Sequence, residues 1–567
     1  MKFSLKSGIR VIGVILGAAL LSLSGSVIAA ESAADASTGS MRNSATPALV
    51  VVVSIDQFRK DRLQEPVKAG LKTLTAAGRV FVDSVLDHGI SNTCPGHAVI
   101  LTGAQPARAG VAGNNFVDRE HWRSSYCAES QQDEDTVFGS GKRRSPALLA
   151  TDTLGDWMKA QNPASKVYSV AGKDRAAIMM GGQHPDGALW YNPDTASFTS
   201  SGYYMNALPE YVEALNRSEF SKVPATWQHP VGRYRPDDYE GESTDYKRVS
   251  GHPLHDDDAE EMGNQIHASP YVDDLTMLLA RQVIDKESLG QDEVPDLLAI
   301  GLSANDIVGH MYGPFSSEAE ATVQNIDRLL GDLLSYLDQK VGEGRYTLVL
   351  TADHGVADLP EWRNEQKASQ CPDPSGRFNV VSTLISLYWD VYLKATFPLD
   401  LPTDLVAFSG SQIYINHDYV AAHELDITEV EHTLVNILES QAIVKKAWLI
   451  PELMAADTET ARLLRNSWVE GRGGDIIIET HPDCILRPSS TGTTHGSHYL
   501  YDRDIPVIFY GAGVVPGNKQ GPARSVDIGP TLAALLNVPM PEVRDGKALD
   551  LVGPAGSAED VVEPDNE

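Results

Sequence analysis

Cysteine is scarce in this chain of 567 residues: there are four, Cys94, Cys127, Cys371 and Cys484, and none forms a C-x-x-C pair. That excludes a thiolate zinc knuckle and thioredoxin-like redox chemistry. An even number suits two disulfides in an oxidising compartment, and the pairing Cys94–Cys127 with Cys371–Cys484 closes the shorter loops. Positive charge is also short, with 46 Lys and Arg against 77 Asp and Glu and a formal net charge of −31. Such a surface disfavours nucleic acid and anionic membranes. An anionic substrate must then be attracted locally, by metal ions or a few basic side chains. Past the N-terminus, no window is long and apolar enough to span a bilayer.

The N-terminus reads differently. Residues 1–30 have the pattern of a secretory signal peptide, with Lys2, Lys6 and Arg10 before an apolar stretch and Val27-Ile28-Ala29-Ala30 as the cleavage region. The apolar stretch is short, diluted by Gly13, Gly17, Ala18 and Ala19, and followed by no lipid-attachment cysteine. The expectation is therefore export as a soluble periplasmic or extracellular protein with no membrane association after cleavage. Residues 31–46 read as a flexible lead-in and residues 554–567 as a disordered acidic tail.

Between these ends, apolar segments alternate with helical spacing, the pattern of an α/β fold with a mostly parallel central sheet sandwiched by helices. Strands are expected over 48–55, 166–170, 296–302, 346–352 and 506–510. Helices are expected over 317–337, where Ile326, Leu329, Leu330, Leu333, Leu334 and Leu337 share a face, and over 530–536. Residues 47–370 and 484–553 are assigned to one large domain. Residues 371–483, with strands at 411–416 and 474–479 and a helix near 427–439, read as an inserted smaller α+β subdomain. Residues 237–263, containing Asp256-Asp257-Asp258, read as a solvated surface excursion rather than a calcium site.

Chemistry-bearing residues stand at the ends of these strands. Tyr346–Thr351 leads into Ala352-Asp353-His354-Gly355, and open α/β sheets place their sites at strand carboxyl ends. An Asp and a His together suit zinc, although Asp-His-Gly is equally an ordinary turn. Asp56 follows the first strand, where an Asp also serves as a helix N-cap. Asp306 and His310 are four apart, so on a helix both reach one ion. His495 and His498 lie in a Gly/Thr-rich loop, and either could be a ligand. Thr93, in Asn92-Thr93-Cys94-Pro95-Gly96-His97, suits a helix N-cap. A hydroxyl there sits in positive potential and beside a metal becomes a nucleophile. These residues suffice for a two-metal site.

In these motifs and their order, over about residues 48–550, the chain resembles the alkaline phosphatase superfamily, most closely its PafA-type phosphatases with a threonine nucleophile. The resemblance implies two zinc ions. One is held by Asp306, His310 and His495, the histidine in a His-Gly-Ser context. The other is held by Asp56, Asp353 and His354, with Thr93 bound to it as alkoxide. It further implies that Asn114 (in Gly113-Asn114-Asn115-Phe116), Lys173 and Arg175 contact the non-bridging phosphoryl oxygens, of which a monoester dianion has three. The expected activity is hydrolysis of small phosphomonoesters through a phosphothreonine intermediate, by a monomer. Additional calcium or magnesium stays open.

A phosphodiesterase or nucleotide pyrophosphatase shares both metal sites, but a Lys/Arg pair on the phosphoryl oxygens crowds the second ester group. A sulfatase would need Cys or Ser where Thr93 stands, with an Arg where His97 stands. A cofactor-independent phosphomutase would use serine in the cytoplasm. A non-catalytic zinc- or phosphate-binding protein would bind phosphate without turnover.

Overall fold

The computed structural model describes residues 46–380, 404–541 and 544–553. The signal peptide read over residues 1–30, nearly all of the lead-in, and the tail from residue 554 lie outside the described residues.

β1 (Leu49–Ile55, sequence LVVVVSI) is buried along its whole length. β-Branched side chains favour extended backbone, and a strand apolar on both faces has to be covered on both, which fixes it at the centre of a helix-flanked sheet. With β2 (Arg79–Val85), β3 (Val167–Ala171), β4 (Gly187–Asn192), β5 (Ser197–Thr199), β6 (Asp296–Leu302), β7 (Tyr346–Thr351), β8 (Val507–Gly511) and β9 (Gly517–Arg524), it forms a nine-stranded sheet in the order β9-β2-β8-β7-β1-β6-β3-β4-β5. Only β8 and β5 run against the rest. β1 pairs in parallel with β6 on one side and β7 on the other, Ile55 opposite Leu302 and Ser54 opposite Thr351. Three strand ends therefore finish level with one another.

Helices α1 (Thr93–Thr102), α2 (Asp174–Gly181), α3 (Ala304–Tyr312) and α4 (Ser317–Leu337) complete the frame around the site. α4 has the bounds its apolar spacing predicts, with the Leu and Ile stripe buried and Ser316 capping it through the Ala319 N–H. The sequence pattern also locates β1, β3, β6, β7 and β8 to within a residue or so. It misses β2, β4, β5 and β9. β9 has no apolar alternation, contains Pro522 at a register shift, and is an edge strand, the place where such a sequence is tolerated.

A second, four-stranded antiparallel sheet runs Val406–Ser409, Gln412–Ile415, Ile476–Thr480, Val444–Leu449. Helix Ile427–Glu439 packs on it through Leu434 and Leu438 against Ile413, Ile415, Ile476 and Ile478. Cystines join Cys94 to Cys127 and Cys371 to Cys484.

The reading of residues 237–263 as a solvated excursion holds for Asp256, Asp257 and Asp258, which are exposed, but needs correcting elsewhere in the stretch. The chain there buries Glu242 on the equally buried Arg235, and buries His252 as well. The charge pattern of 237–263 does not show this ion pair, because its basic partner, Arg235, stands just before the stretch. Asp258, the last of the aspartate run, caps helix Ala259–His267 by accepting from the Glu260 and Glu261 N–H groups.

Candidate active site

Four neighbouring parallel strands, β7, β1, β6 and β3, end on one side of the sheet and each passes the chain to polar residues just beyond. Strands in a sheet lie about 4.8 Å apart, so side chains from adjoining ends meet without long loops. Asp56 follows β1, Asp353 and His354 follow β7, Asp306 and His310 lie on α3 after β6, and Lys173 and Arg175 follow β3. His495 comes in from the loop before β8.

Asp56 is not an N-cap. Its backbone N–H donates to Leu302 O (2.9 Å) and its carboxylate turns into the cluster. Thr93 is likewise not the cap of α1 but its first residue, with Asn92 preceding it in extended conformation. At that position the Thr93 hydroxyl still lies at the positive end of the helix. Its Oγ1 is 3.5 Å from His354 Nε2.

The three histidines are held the same way. His354 Nδ1 lies 2.9 Å from Gly355 O, His310 Nδ1 2.9 Å from Thr493 O, and His495 Nδ1 2.7 Å from Ser91 O. A carbonyl only accepts, so each Nδ1 carries the proton and each Nε2 presents a lone pair. Those lone pairs meet carboxylates. His354 Nε2 is 3.3 Å from Asp353 Oδ2 and 3.5 Å from Asp56 Oδ1, His310 Nε2 is 3.3 Å from Asp306 Oδ1, and His495 Nε2 is 3.6 Å from the same oxygen. His498 lies apart, its Nε2 3.7 Å from Glu479 Oε1.

Lys173 Nζ bridges the two groups, 2.5 Å from Asp56 Oδ2 and paired also with Asp306. Burial pushes the Asp56 carboxyl well above its usual range, with the Asp306 and Asp353 charges adding to it. Burial would raise Asp306 too, but Lys173, His310 and His495 outweigh it and hold it well below. Burial lowers all three imidazoles, which favours the neutral form that ligates metals. Asp56 Oδ1 has no hydrogen-bond partner. Three buried carboxylates thus face imidazole lone pairs, with one ammonium shared by Asp56 and Asp306, and the spacing of about 3.3 Å matches two donors on one tetrahedral ion with bonds near 2.0 Å. The donor set fits divalent metal ions. Two ligand groups stand out, Asp306 with His354 and His495, and Asp56 with Asp353 and His354.

Arg175 is reached through a chain of contacts. Tyr126 OH donates to Asp174 Oδ1 (2.5 Å), Arg144 Nε donates to Asp174 Oδ2 (2.6 Å), and Arg175 Nη1 lies 3.4 Å from Tyr126 OH. The Cys94–Cys127 cystine ties this Tyr126 network to the residue after Thr93. Asn114 Oδ1 accepts from the Cys94 N–H at 2.8 Å, which fixes its side chain beside Thr93. A cavity of about 280 Å³ opens next to these groups, lined by Asn114, His310 and His495 and walled by Ser409, Gly410 and Glu479.

Three neighbours give little or no sign of their role in the sequence. Gln57 adopts a positive φ of 64°, donates from its backbone N–H to Asp353 Oδ1 (3.0 Å), and donates from Nε2 to Asp306 Oδ1 (2.7 Å). His97, one turn after Thr93, has Nδ1 3.1 Å from Asp353 Oδ2. Asp273 accepts from the Ser303 and Ala304 N–H groups and so holds the first turn of α3. Only the i, i+4 spacing of Thr93 and His97 hints at any of this.

Residues 50–499 match the family model described as type I phosphodiesterase / nucleotide pyrophosphatase, so the chain belongs to that family, within the alkaline phosphatase superfamily. It is an enzyme, a phosphatase hydrolase. Among curated relatives it is 31% identical over 531 residues to a protein named calcium-transporting ATPase from Myroides odoratus, covering 87% of this chain and 92% of that one. It is also 31% identical over 525 residues to alkaline phosphatase PafA of Elizabethkingia meningoseptica, covering 89% and 94%. The crystal structure of wild-type alkaline phosphatase PafA superposes with a TM-score of 0.82 at 29% identity, over 89% of this chain and 98% of that one.

Proposed function

We propose that the chain is an exported alkaline phosphatase that hydrolyses small phosphate monoesters to inorganic phosphate, through a phosphothreonine on Thr93, at a site for two zinc ions. The observation that carries this reading is the placement of the Thr93 hydroxyl at the N-terminus of α1, 3.5 Å from His354 Nε2 and inside a cluster of carboxylates and inward-facing imidazoles. Relatives named alkaline phosphatase support it, and export rests on the pattern of residues 1–30.

Asp306, His310 and His495 would hold one zinc, and Asp56, Asp353 and His354 with Thr93 the other. When bound, the ions supply Lewis acidity that favours the ionised hydroxyl and offsets charge on the leaving oxygen. The helix N-terminus favours an anionic Thr93 oxygen in the same direction. Thr93 Oγ1 attacks phosphorus, a new P–O bond forms, and the bond to the leaving alcohol breaks. Water then attacks the phosphothreonine, the bond to Oγ1 breaks, and phosphate leaves. Charge on the transferring group spreads over its equatorial oxygens. Asn114, with its carbonyl spent on the Cys94 N–H, has its amide N–H donors for one of them. Arg175, held by Tyr126 and Asp174, meets another. Lys173 reaches a third when its Nζ leaves one of the two carboxylates it bridges. Residues 371–483 are read as an inserted subdomain, part of which walls the cavity where the leaving alcohol sits.

The test is kcat/KM for a phosphate monoester and a matched diester, with metal analysis of the same sample. A ratio well above one in favour of the monoester supports the reading. The family description favours a second reading as a phosphodiesterase, and a ratio below one would establish that instead.

A further inference from the structure

Away from the catalytic cluster, three other side chains converge. His229 follows the short strand Thr226–Trp227, and His252 stands opposite Trp227 on the strand His252–Pro253 that pairs with it. Glu318 lies in the first turn of α4. All three side chains are sealed, with 1%, 3% and 1% of their surface exposed. His229 Nε2 lies 3.0 Å from His252 Nε2, and Glu318 Oε1 lies 3.5 Å from the first and 3.4 Å from the second.

Proton placement makes this arrangement unusual. His229 Nδ1 is 3.1 Å from Pro230 O and His252 Nδ1 is 2.9 Å from Tyr246 O, so both Nδ1 atoms carry protons that point at carbonyls. The Tyr312 hydroxyl also approaches His252 Nδ1, at 3.3 Å. Both Nε2 atoms then present lone pairs to each other and to a carboxylate, and neither Glu318 oxygen has a hydrogen-bond partner. Three acceptors facing one another in a dry interior with no donor between them is a costly arrangement. Their separations answer the question of what relieves it. Ligand atoms about 2.0–2.1 Å from one tetrahedral zinc are spaced by about 3.3–3.4 Å, and these three are spaced by 3.0, 3.4 and 3.5 Å.

We propose that His229, His252 and Glu318 form a third, structural zinc site, separate from the catalytic pair. Two imidazoles and a carboxylate are donors zinc favours, and the second Glu318 oxygen, buried and also without a hydrogen-bond partner, is available for the fourth position of a closed site. The carbonyls at both Nδ1 atoms are the outer partners that metal-bound histidines commonly have. The ion fastens the strand pair carrying His229 and His252 to the start of α4. It also steadies the catalytic helix. Tyr312, the last residue of α3, packs its ring on His252 at 5.3 Å, and the Ser243 N–H donates to Met311 O at 2.8 Å.

The alternative is a single proton shared between the rings, one of them an imidazolium paired with Glu318. Zinc content of the full-length purified protein, after dialysis against metal-free buffer, separates the two. Three zinc ions per chain are expected for the wild type and two each for His229→Gln and Glu318→Gln, with kcat/KM in the variants within about threefold of the wild type. Wild-type stoichiometry retained in both variants would overturn the proposal. Should a variant fail to fold, anomalous scattering from wild-type crystals at the zinc edge decides the matter. A peak bounded by His229 Nε2, His252 Nε2 and Glu318 supports the site, and its absence while the catalytic cluster shows peaks overturns it. Each cluster is read by its own peak, so failure here is distinct from failure of the catalytic assignment.

Discussion

Thr93 Oγ1 stands 3.5 Å from His354 Nε2, although the two residues are 261 positions apart. They meet because β7 ends beside β1 and because α1 packs its first turn onto the loop after β7. Removing the hydroxyl leaves that packing untouched. Thr93→Ala is expected to lower kcat for a phosphate monoester by at least about 10³-fold, while metal content stays at the wild-type level. Activity above a few per cent of the wild type would rule out Thr93 as the nucleophile.

Gly96 is what allows the close approach. A Cβ at this position would lie 2.2 Å from Asp353 O, a backbone atom with nowhere to go. Gly96→Ala must push α1 away from the Asp353–His354 loop. The expected result is loss of metal as well as activity, with a stability cost of about 1–3 kcal/mol from overpacking. Denaturant unfolding and metal analysis on one preparation check both.

On the proposed function, Arg175 is the residue that separates monoesters from diesters. With its guanidinium beside Tyr126 OH and its backbone N–H donating to Asp174, it would meet a charge that a monoester dianion has and a diester lacks. Arg175→Ala is expected to cut kcat/KM for the monoester by about 10²–10³-fold and for the diester by less than about tenfold. Equal losses would contradict the role. Tyr126→Phe, which loosens the same network, should follow the same direction with a smaller effect.

His88 gives a pH test that does not depend on activity. It is fully buried, neither ring nitrogen has a hydrogen-bond partner, and burial lowers its pKa to about 3, with Arg503 adding to the shift. The unfolded chain therefore binds a proton below about pH 6.5 that the folded chain refuses. Stability falls as pH drops from about 6.5 toward 3, at up to about 1.4 kcal/mol per pH unit for this one group. His88→Leu should flatten that part of the stability profile by about one proton. An unchanged slope would show that His88 titrates in the native state.

Much of this was legible in the sequence, and the reasons are physical. β1, β6 and β7 are apolar on both faces, so composition alone marks them as central strands, and the residues just past their ends follow at once. α4 carries a stripe long enough to leave no doubt about its bounds. β9 could not be found this way, because an edge strand with one face in water needs no apolar pattern. Gln57 and Asp273 were equally hidden, since their contacts depend on a positive φ and on a helix from elsewhere in the chain. His252 misled for the opposite reason. It sits in an acidic, proline-bearing stretch that looks solvated, yet the buried partners that explain it, Glu318 and Tyr312, come from α4 and α3.

Double displacement through Thr93 is tested most directly by stereochemistry. A phosphorothioate monoester made chiral at phosphorus with two oxygen isotopes is hydrolysed in water carrying the third, and the configuration of the released thiophosphate is determined. Two in-line displacements, the first by Thr93 and the second by water, predict net retention. Net inversion would mean that water attacks phosphorus directly, and would contradict the account.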